Sequence, residues 1–355
     1  MGRPIGSRSK QATARVRSPK ARNKPSIDAD SQSAAGRGRS SASKASAPRI
    51  RDSKTQDSRP PTTARSSATP AASLRTIDPD EIIAEQRASL RLDEHTGLAT
   101  PEALASFLAD VGLALRYGPS HGLPVASVYA AVRRWVPHAE PEVDAQRRAI
   151  AATNALIGAG RAVEINVVAD RLALVDVALV APLIALVRRG RTVDELDLSN
   201  AARRVLDILA EHPRPTAGFV RARYGVPPQQ WPNPADDALG ELQRALVIDR
   251  GATDVPESGA AYLSKAGIPY GLLDEVHAQH VAAAVELDEV AAAMAVLAAY
   301  LRGAVFATRR KLVTLFKGCA GADLIDRALD ALVDAGRLER VRIGAADAVV
   351  AHTHA

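Results

Sequence analysis

Along the last part of the chain the apolar positions follow first a helix and then a strand. Leu324, Ile325, Ala328, Leu329 and Leu332 recur at the spacing of one helical face. Beyond Gly336 the period shortens to two, with Leu338, Val341 and Ile343 set against Glu339, Arg340 and Arg342. A turn at Gly344-Ala345-Ala346-Asp347 and a returning Ala-Val-Val then predict a hairpin. The same order occurs earlier in the chain. At a shift of 90, Ala238, Leu239, Leu242, Ala245, Ile248 and Arg250 of DDALGELQRALVIDR fall on Ala328, Leu329, Leu332, Ala335, Leu338 and Arg340. At a shift of 92, Thr216, Val220 and Tyr224 of TAGFVRARY fall on Thr308, Leu312 and Phe316 of TRRKLVTLF, the turn between the elements absorbing the difference.

Each copy starts with an apolar-periodic helix, over 202–212 or 288–302. A short second helix opens on Thr216 or Thr308, whose hydroxyl can accept from the free N–H groups of the first turn. A third helix and a strand follow. This is the pattern of a winged helix-turn-helix, and it predicts tandem units over 196–265 and 266–355. The expected fold is mainly α with small β wings.

The block 76–195 reads as a helical N-terminal domain with a short strand pair. Thr100 and Pro101 suit the start of a helix whose apolar face is Leu104, Phe107, Leu108 and Val111. A second helix is expected over 144–160, and the alternating RAVEINVVA (161–169) should pair with LALVDV. The apolar run 172–187 falls short of the roughly 20 residues of a membrane span. It also carries Asp176 and Pro182, so it is expected in the core, with no membrane contact.

Composition changes this picture at the N-terminus. Residues 1–75 hold 17 Lys/Arg against 4 Asp, leaving 29 Lys/Arg against 36 Asp/Glu in the rest of the chain. The first aromatic residue is Phe107. A Ser/Ala/Arg-rich leader without aromatics buries too little apolar surface to offset chain ordering at roughly 1–2 kcal/mol per residue, so 1–75 is expected to be a disordered basic tail. Its charged start leads into no apolar stretch, unlike a secretory signal, although an organellar transit peptide is also Arg/Ser-rich and poor in acid. Cys319 is the single cysteine, which excludes an intrachain disulfide and fits a reducing, cytoplasmic setting, nucleoid-associated in a bacterium.

The order of pieces is similar to the winged-helix DNA glycosylase family of AlkZ. The resemblance covers residues 76–345 and is carried by ALASFLADVGLALRYGPSHGLPVASVYAAV (103–132), AQRRAIAATNALIGAGRAVEINVVADRLALV (145–175) and the two winged units. It implies a DNA-binding body and, in active members, excision of alkylated or crosslinked bases. Those members carry Gln-x-Gln or Gln-x-Asp just after the Val-Gly that ends the first helix. Here Val111-Gly112 is followed by Leu113-Ala114-Leu115, and no Gln stands between Gln86 and Gln146. Apolar side chains can neither position a water nor stabilise a sugar cation. The aromatic residues that the family has near its second helix are missing as well.

The expected partner is therefore double-stranded DNA, bound without catalysis. A helix entering the major groove usually presents Arg, Lys, Asn or Gln. The last third helix instead carries Asp323, Asp326, Asp330 and Asp334 along one face, and the earlier one Asp236, Asp237 and Glu241. Positive charge lies in the second helices (Arg221, Arg223, Arg309, Arg310, Lys311) and the wing (Arg337, Arg340, Arg342). In the tail, the Gly-Arg-Pro at Arg3 and the Gly-Arg-Gly-Arg at Arg37 and Arg39 resemble fragments of minor-groove hooks. Two other readings stay open: a glycosylase relative with a rearranged site, and an interaction scaffold using the acidic helix 322–335.

No metal or cofactor is expected. Asp274, His277 and His280 are three apart but are not His-Glu-x-x-His, and no further ligand completes a zinc pattern with them. Gly158-Ala159-Gly160 stops a helix and is no nucleotide loop. Cys319 reads as a small structural residue, and His352 and His354 as exposed ends.

Overall fold

The computed structural model describes residues 74–92, 98, 100–117, 124–133, 142–169, 171–227, 230, 232–253 and 267–351. Arg3, Arg37 and Arg39, the bulk of the expected basic tail, and His352 and His354 lie outside the described residues. The described chain is mainly helical, with two sheets. It opens with β1 (Arg75–Ile77) and α1 (Pro79–Ser89), followed by α2 (Pro101–Val111), β2 (Leu113–Leu115), β3 (Ala126–Ser127) and α3 (Val128–Val132). Next come α4 (Val143–Gly158), the hairpin β4 (Ala162–Val168) and β5 (Arg171–Asp176), and α5 (Val180–Arg188). The hairpin pairs Val163 with Val175 and Ile165 with Ala173, the strand pair that the alternation predicts.

A first three-helix unit contains α6 (Asn200–Glu211), α7 (Ala217–Tyr224), α8 (Pro234–Arg244), β6 (Ile248–Arg250) and β7 (Tyr270–Leu272). After α9 (Leu273–Val276) and α10 (Ala278–Val285), a second unit runs through α11 (Glu289–Ala304), β8 (Phe306–Ala307), α12 (Arg309–Phe316), α13 (Ala322–Asp334), β9 (Leu338–Ile343) and β10 (Ala346–Ala351). Both units cap their second helix with threonine: Thr216 Oγ1 accepts from Phe219 N, and Thr308 Oγ1 from Lys311 N. In both, the residues before that helix pair with the returning strand, through Thr216 and Pro269 in one and β8 and β10 in the other. The first unit's return strand is β7.

The apolar run 172–187 ends as α5, packed against α10 and α11 in the largest core, where Leu183 and Leu186 are buried. Full burial of one such side chain contributes about 1.5–3 kcal/mol. Among the described residues, no helix is long and apolar enough to cross a membrane. The Ala-rich α11 also crosses α2 closely. A Cβ on Gly303 would lie 2.7 Å from Val111 Cβ, and one on Gly112 would lie 2.8 Å from Ala299 Cβ. Gly112 moreover adopts φ +72°, which a side chain disfavours.

Three features of the C-terminal sheet depart from the sequence pattern. First, β1 adds in parallel to β9, with Arg75 opposite Val341, and α1 seats Ile82 on the sheet's outer face beside Val305, Val341, Ala348 and Val350. Residues 75–89 thus pack on the sheet of the last unit. Second, Leu338 stands three residues before Val341, so on the pleated strand it enters the main core while Val341 and Ile343 face α1, and the three do not share one side. Third, the turn is only Gly344-Ala345: Ala346 already pairs with Ile343 and Asp347 with Arg342.

Candidate nucleic-acid interface

The basic residues of the two units sit in opposite electrostatic settings. In α7, Arg221 and Arg223 occupy the last turn, where the helix dipole favours cations. Both are paired. Arg221 Nε and Nη2 donate to Asp236 Oδ1 and Oδ2 at 2.7 and 2.9 Å, and Arg223 lies 3.5 Å from Glu211. In α12, Arg309, Arg310 and Lys311 occupy the first turn, with no acidic residue among them. There the dipole's positive end and the free N–H groups make each cation unfavourable by about 0.3–1 kcal/mol.

Only one of those three cations is neutralised among the described residues. Arg309 donates bidentately to Asp326 on α13 at 2.5 and 2.6 Å, and this pairing holds the Asp326 carboxyl below its ordinary range. Arg310 and Lys311 form no ion pair among the described residues, and Arg310 is exposed. Arg337, just before β9, is likewise exposed and without an ion pair among the described residues. Arg340 on β9 pairs with Asp330, and Arg342 with Asp347 across the hairpin at 3.1 Å.

These contacts alter the acidic stripe. Asp326 and Asp330 are each met by a guanidinium, and Arg327 lies between them on α13. The four aspartates of the stripe thus stand beside three guanidiniums, close to balance. Of Arg, Lys, Asn and Gln, α13 carries Arg327 alone. The third helix of the first unit is oriented otherwise: α8 packs toward β4, and Gln243 is buried there.

Where the resemblance would place a polar motif, Leu113, Ala114 and Leu115 form β2 and are buried. Leu113 and Leu115 belong to the main apolar core. Glu102 and Asp110 on α2 are exposed. Asp274 pairs with Arg188, not with a histidine, and His277 is buried with Nε2 3.3 Å from Asp249 Oδ2, so the three residues at metal-like spacing do not converge. Among the described residues, no group of three or more His, Cys, Asp or Glu could hold a metal ion. Cys319 is buried in the turn between α12 and α13, and burial pushes its thiol up to about 12.

Sequence reasoning missed one cluster. Arg116, Glu164 and Arg250 lie within three separate segments and meet in the interior, with both arginines 3.1 Å from Glu164 Oε2. A charged residue at an inward strand position was the available signal, since Glu164 is the one charged residue of β4 and Arg250 follows Asp249 on the buried β6.

Compared with known proteins, the chain matches no protein-family model and no curated protein sequence. Among solved structures it is similar to Streptomyces sahachiroi DNA glycosylase AlkZ, with 14% identity, a TM-score of 0.48, and coverage of 78% of this chain and 70% of that chain.

Proposed function

We propose that the chain binds duplex DNA without catalysing a reaction on it, as a tandem winged-helix protein with a basic tail. The observation that carries this reading is the first turn of α12. Arg310 and Lys311 have no ion-pair partner among the described residues and stand at a helix N-terminus, a placement that costs stability and fits a phosphate held by backbone N–H groups and cations together. In this reading Arg309 is oriented by Asp326. The β9–β10 hairpin is the wing, and Arg337, Arg340 and Arg342 bring it to the backbone of the duplex. The acidic α13 stays outside the groove, so the affinity is mainly sequence-independent. Arg3, Arg37 and Arg39 in the tail add salt-sensitive contacts, and the paired Arg221 and Arg223 contribute least.

Fluorescence anisotropy of the full-length protein on a short duplex, followed from low to moderate salt, tests it. Replacing Arg310 and Lys311 together by alanine should lower the salt slope by about 2, since each of these cations would neutralise one phosphate. Replacing Arg3, Arg37 and Arg39 should lower it further. No binding at low salt, or a slope unmoved by the double substitution, overturns the proposal. Release of an altered base from the bound duplex would replace it with the excision reading.

A further inference from the structure

The buried charge cluster and the cleft beside it are independent of the DNA reading. Glu164 and Arg116 each have a side chain 2% exposed, and that of Arg250 is 9% exposed. One carboxylate thus faces two guanidiniums, leaving one positive charge uncompensated in the interior. Among the described residues, Nε and Nη1 of Arg116 and Nε of Arg250 have no hydrogen-bond partner. Buried donors in this state are rare, and each calls for an explanation. Next to Arg250 lies a cleft of about 170 Å³ between α8 and β5, whose apolar walls are Leu172, Leu239 and Ile268. Gln243, on the same wall as Leu239, is 5% exposed, and its Nε2 also lacks a partner among the described residues. Tyr270, Arg221 and Asp236 also line it. Burial raises the phenol pKa of Tyr270. The Arg221–Asp236 pair is self-neutralised and adds no net charge.

We infer that this cleft binds a small molecule carrying one carboxylate on a compact apolar body. The single uncompensated charge calls for a monoanion. The unpartnered N–H groups of Gln243 and Arg250 match the two oxygens of a carboxylate, whereas a phosphate dianion would seek more donors and more charge. Three aliphatic walls suit an apolar body, and the volume lies below the 300–1,000 Å³ or so of drug-sized sites. Neither donor atom is open to solvent, so entry requires the Gln243 side chain to rotate toward the cleft. The bound molecule would bridge the first three-helix unit and the β4–β5 hairpin.

Benzoate serves as the probe, titrated into full-length protein by calorimetry and by NMR of side-chain amides. Saturable binding at millimolar concentrations, a shift of the Gln243 amide resonance and a raised Tm are expected, with methyl benzoate producing none of them. Gln243→Leu, which removes the amide at similar volume, should weaken benzoate at least tenfold while keeping or raising the Tm of the free protein. Gln243→Glu, with the same shape and a like charge, should abolish binding. The unsubstituted protein decides the matter if either variant folds poorly. Absence of saturation by benzoate, equal binding of the methyl ester, saturation by inorganic phosphate alone, or indifference to Gln243→Leu in a folded protein would each overturn the assignment.

Discussion

Arg250 and Arg340 occupy the same position in the two three-helix units, yet one is buried and the other stands on the surface. Arg250 lies on β6, which continues through Glu164 into the six-stranded sheet, so its guanidinium is enclosed with Glu164 and Arg116. Arg340 lies on β9, whose free edge is covered by the short β1 and whose outer face is covered by α1, and it turns instead to Asp330 on α13. The second helices differ in the same way. The cations of α7 sit where the dipole welcomes them and are paired, while those of α12 sit against it and two have no ion pair among the described residues. The first unit is thus built into the body, its third helix facing inward. The second keeps its third helix and the start of its second helix outward. A repeated fold need not repeat a function, because the surroundings select which face remains available.

The largest expected effect tests the enclosed unit. Glu164→Gln leaves two buried guanidiniums without a full counter-charge and should cost about 3–5 kcal/mol in urea unfolding. The equivalent disturbance of the second unit, removal of the partly exposed Arg340–Asp330 pair, should be small by comparison. If the two prove equal, the contrast between the units fails.

Next comes the crossing that fixes α11, the first helix of the second unit, on the N-terminal block. Gly303→Ala forces a methyl group against Val111 and should destabilise by about 1–3 kcal/mol, read as a lower denaturation midpoint with unchanged m-value. An unaffected midpoint would mean that α2 and α11 do not touch at Gly303.

A smaller effect should carry the opposite sign. Arg310→Glu replaces a cation by an anion at the first turn of α12 and should raise stability by about 0.5 kcal/mol while weakening duplex binding. Stability and binding falling together would remove the argument that this turn sacrifices stability for an anion.

The smallest effect ranks the two inter-helix ion pairs. Arg221–Asp236 is the more enclosed, at 18% and 26% exposed, against 58% and 37% for Arg309–Asp326. Arg221→Ala should cost about 0.3 kcal/mol, and the corresponding effect of Arg309→Ala should be smaller and vanish sooner with added salt. Because Arg309 lowers the Asp326 pKa, that pair stabilises fully above the ordinary carboxylate range, and its contribution is lost as the pH falls below that range through the lowered folded value.

Local pattern carried the reading a long way. Helical and alternating periods in the sequence determined most of the elements, the threonine caps at Thr216 and Thr308, the β4–β5 hairpin and the repeated order of the two units, because these depend on neighbours within a few turns. The face of each element that would be covered was not legible there. Nothing near residues 75–89 announces that Ile82 will seat on a sheet built from the chain's end and cover the face of β9 that carries Val341 and Ile343, opposite to that of Leu338. Likewise Arg250 and Arg340 look alike in their own segments. Only the pairing of β6 with β4 encloses the first, and only the approach of α13 supplies Asp330 to the second. Period is a property of a segment, while burial and charge balance belong to whatever distant segment arrives beside it.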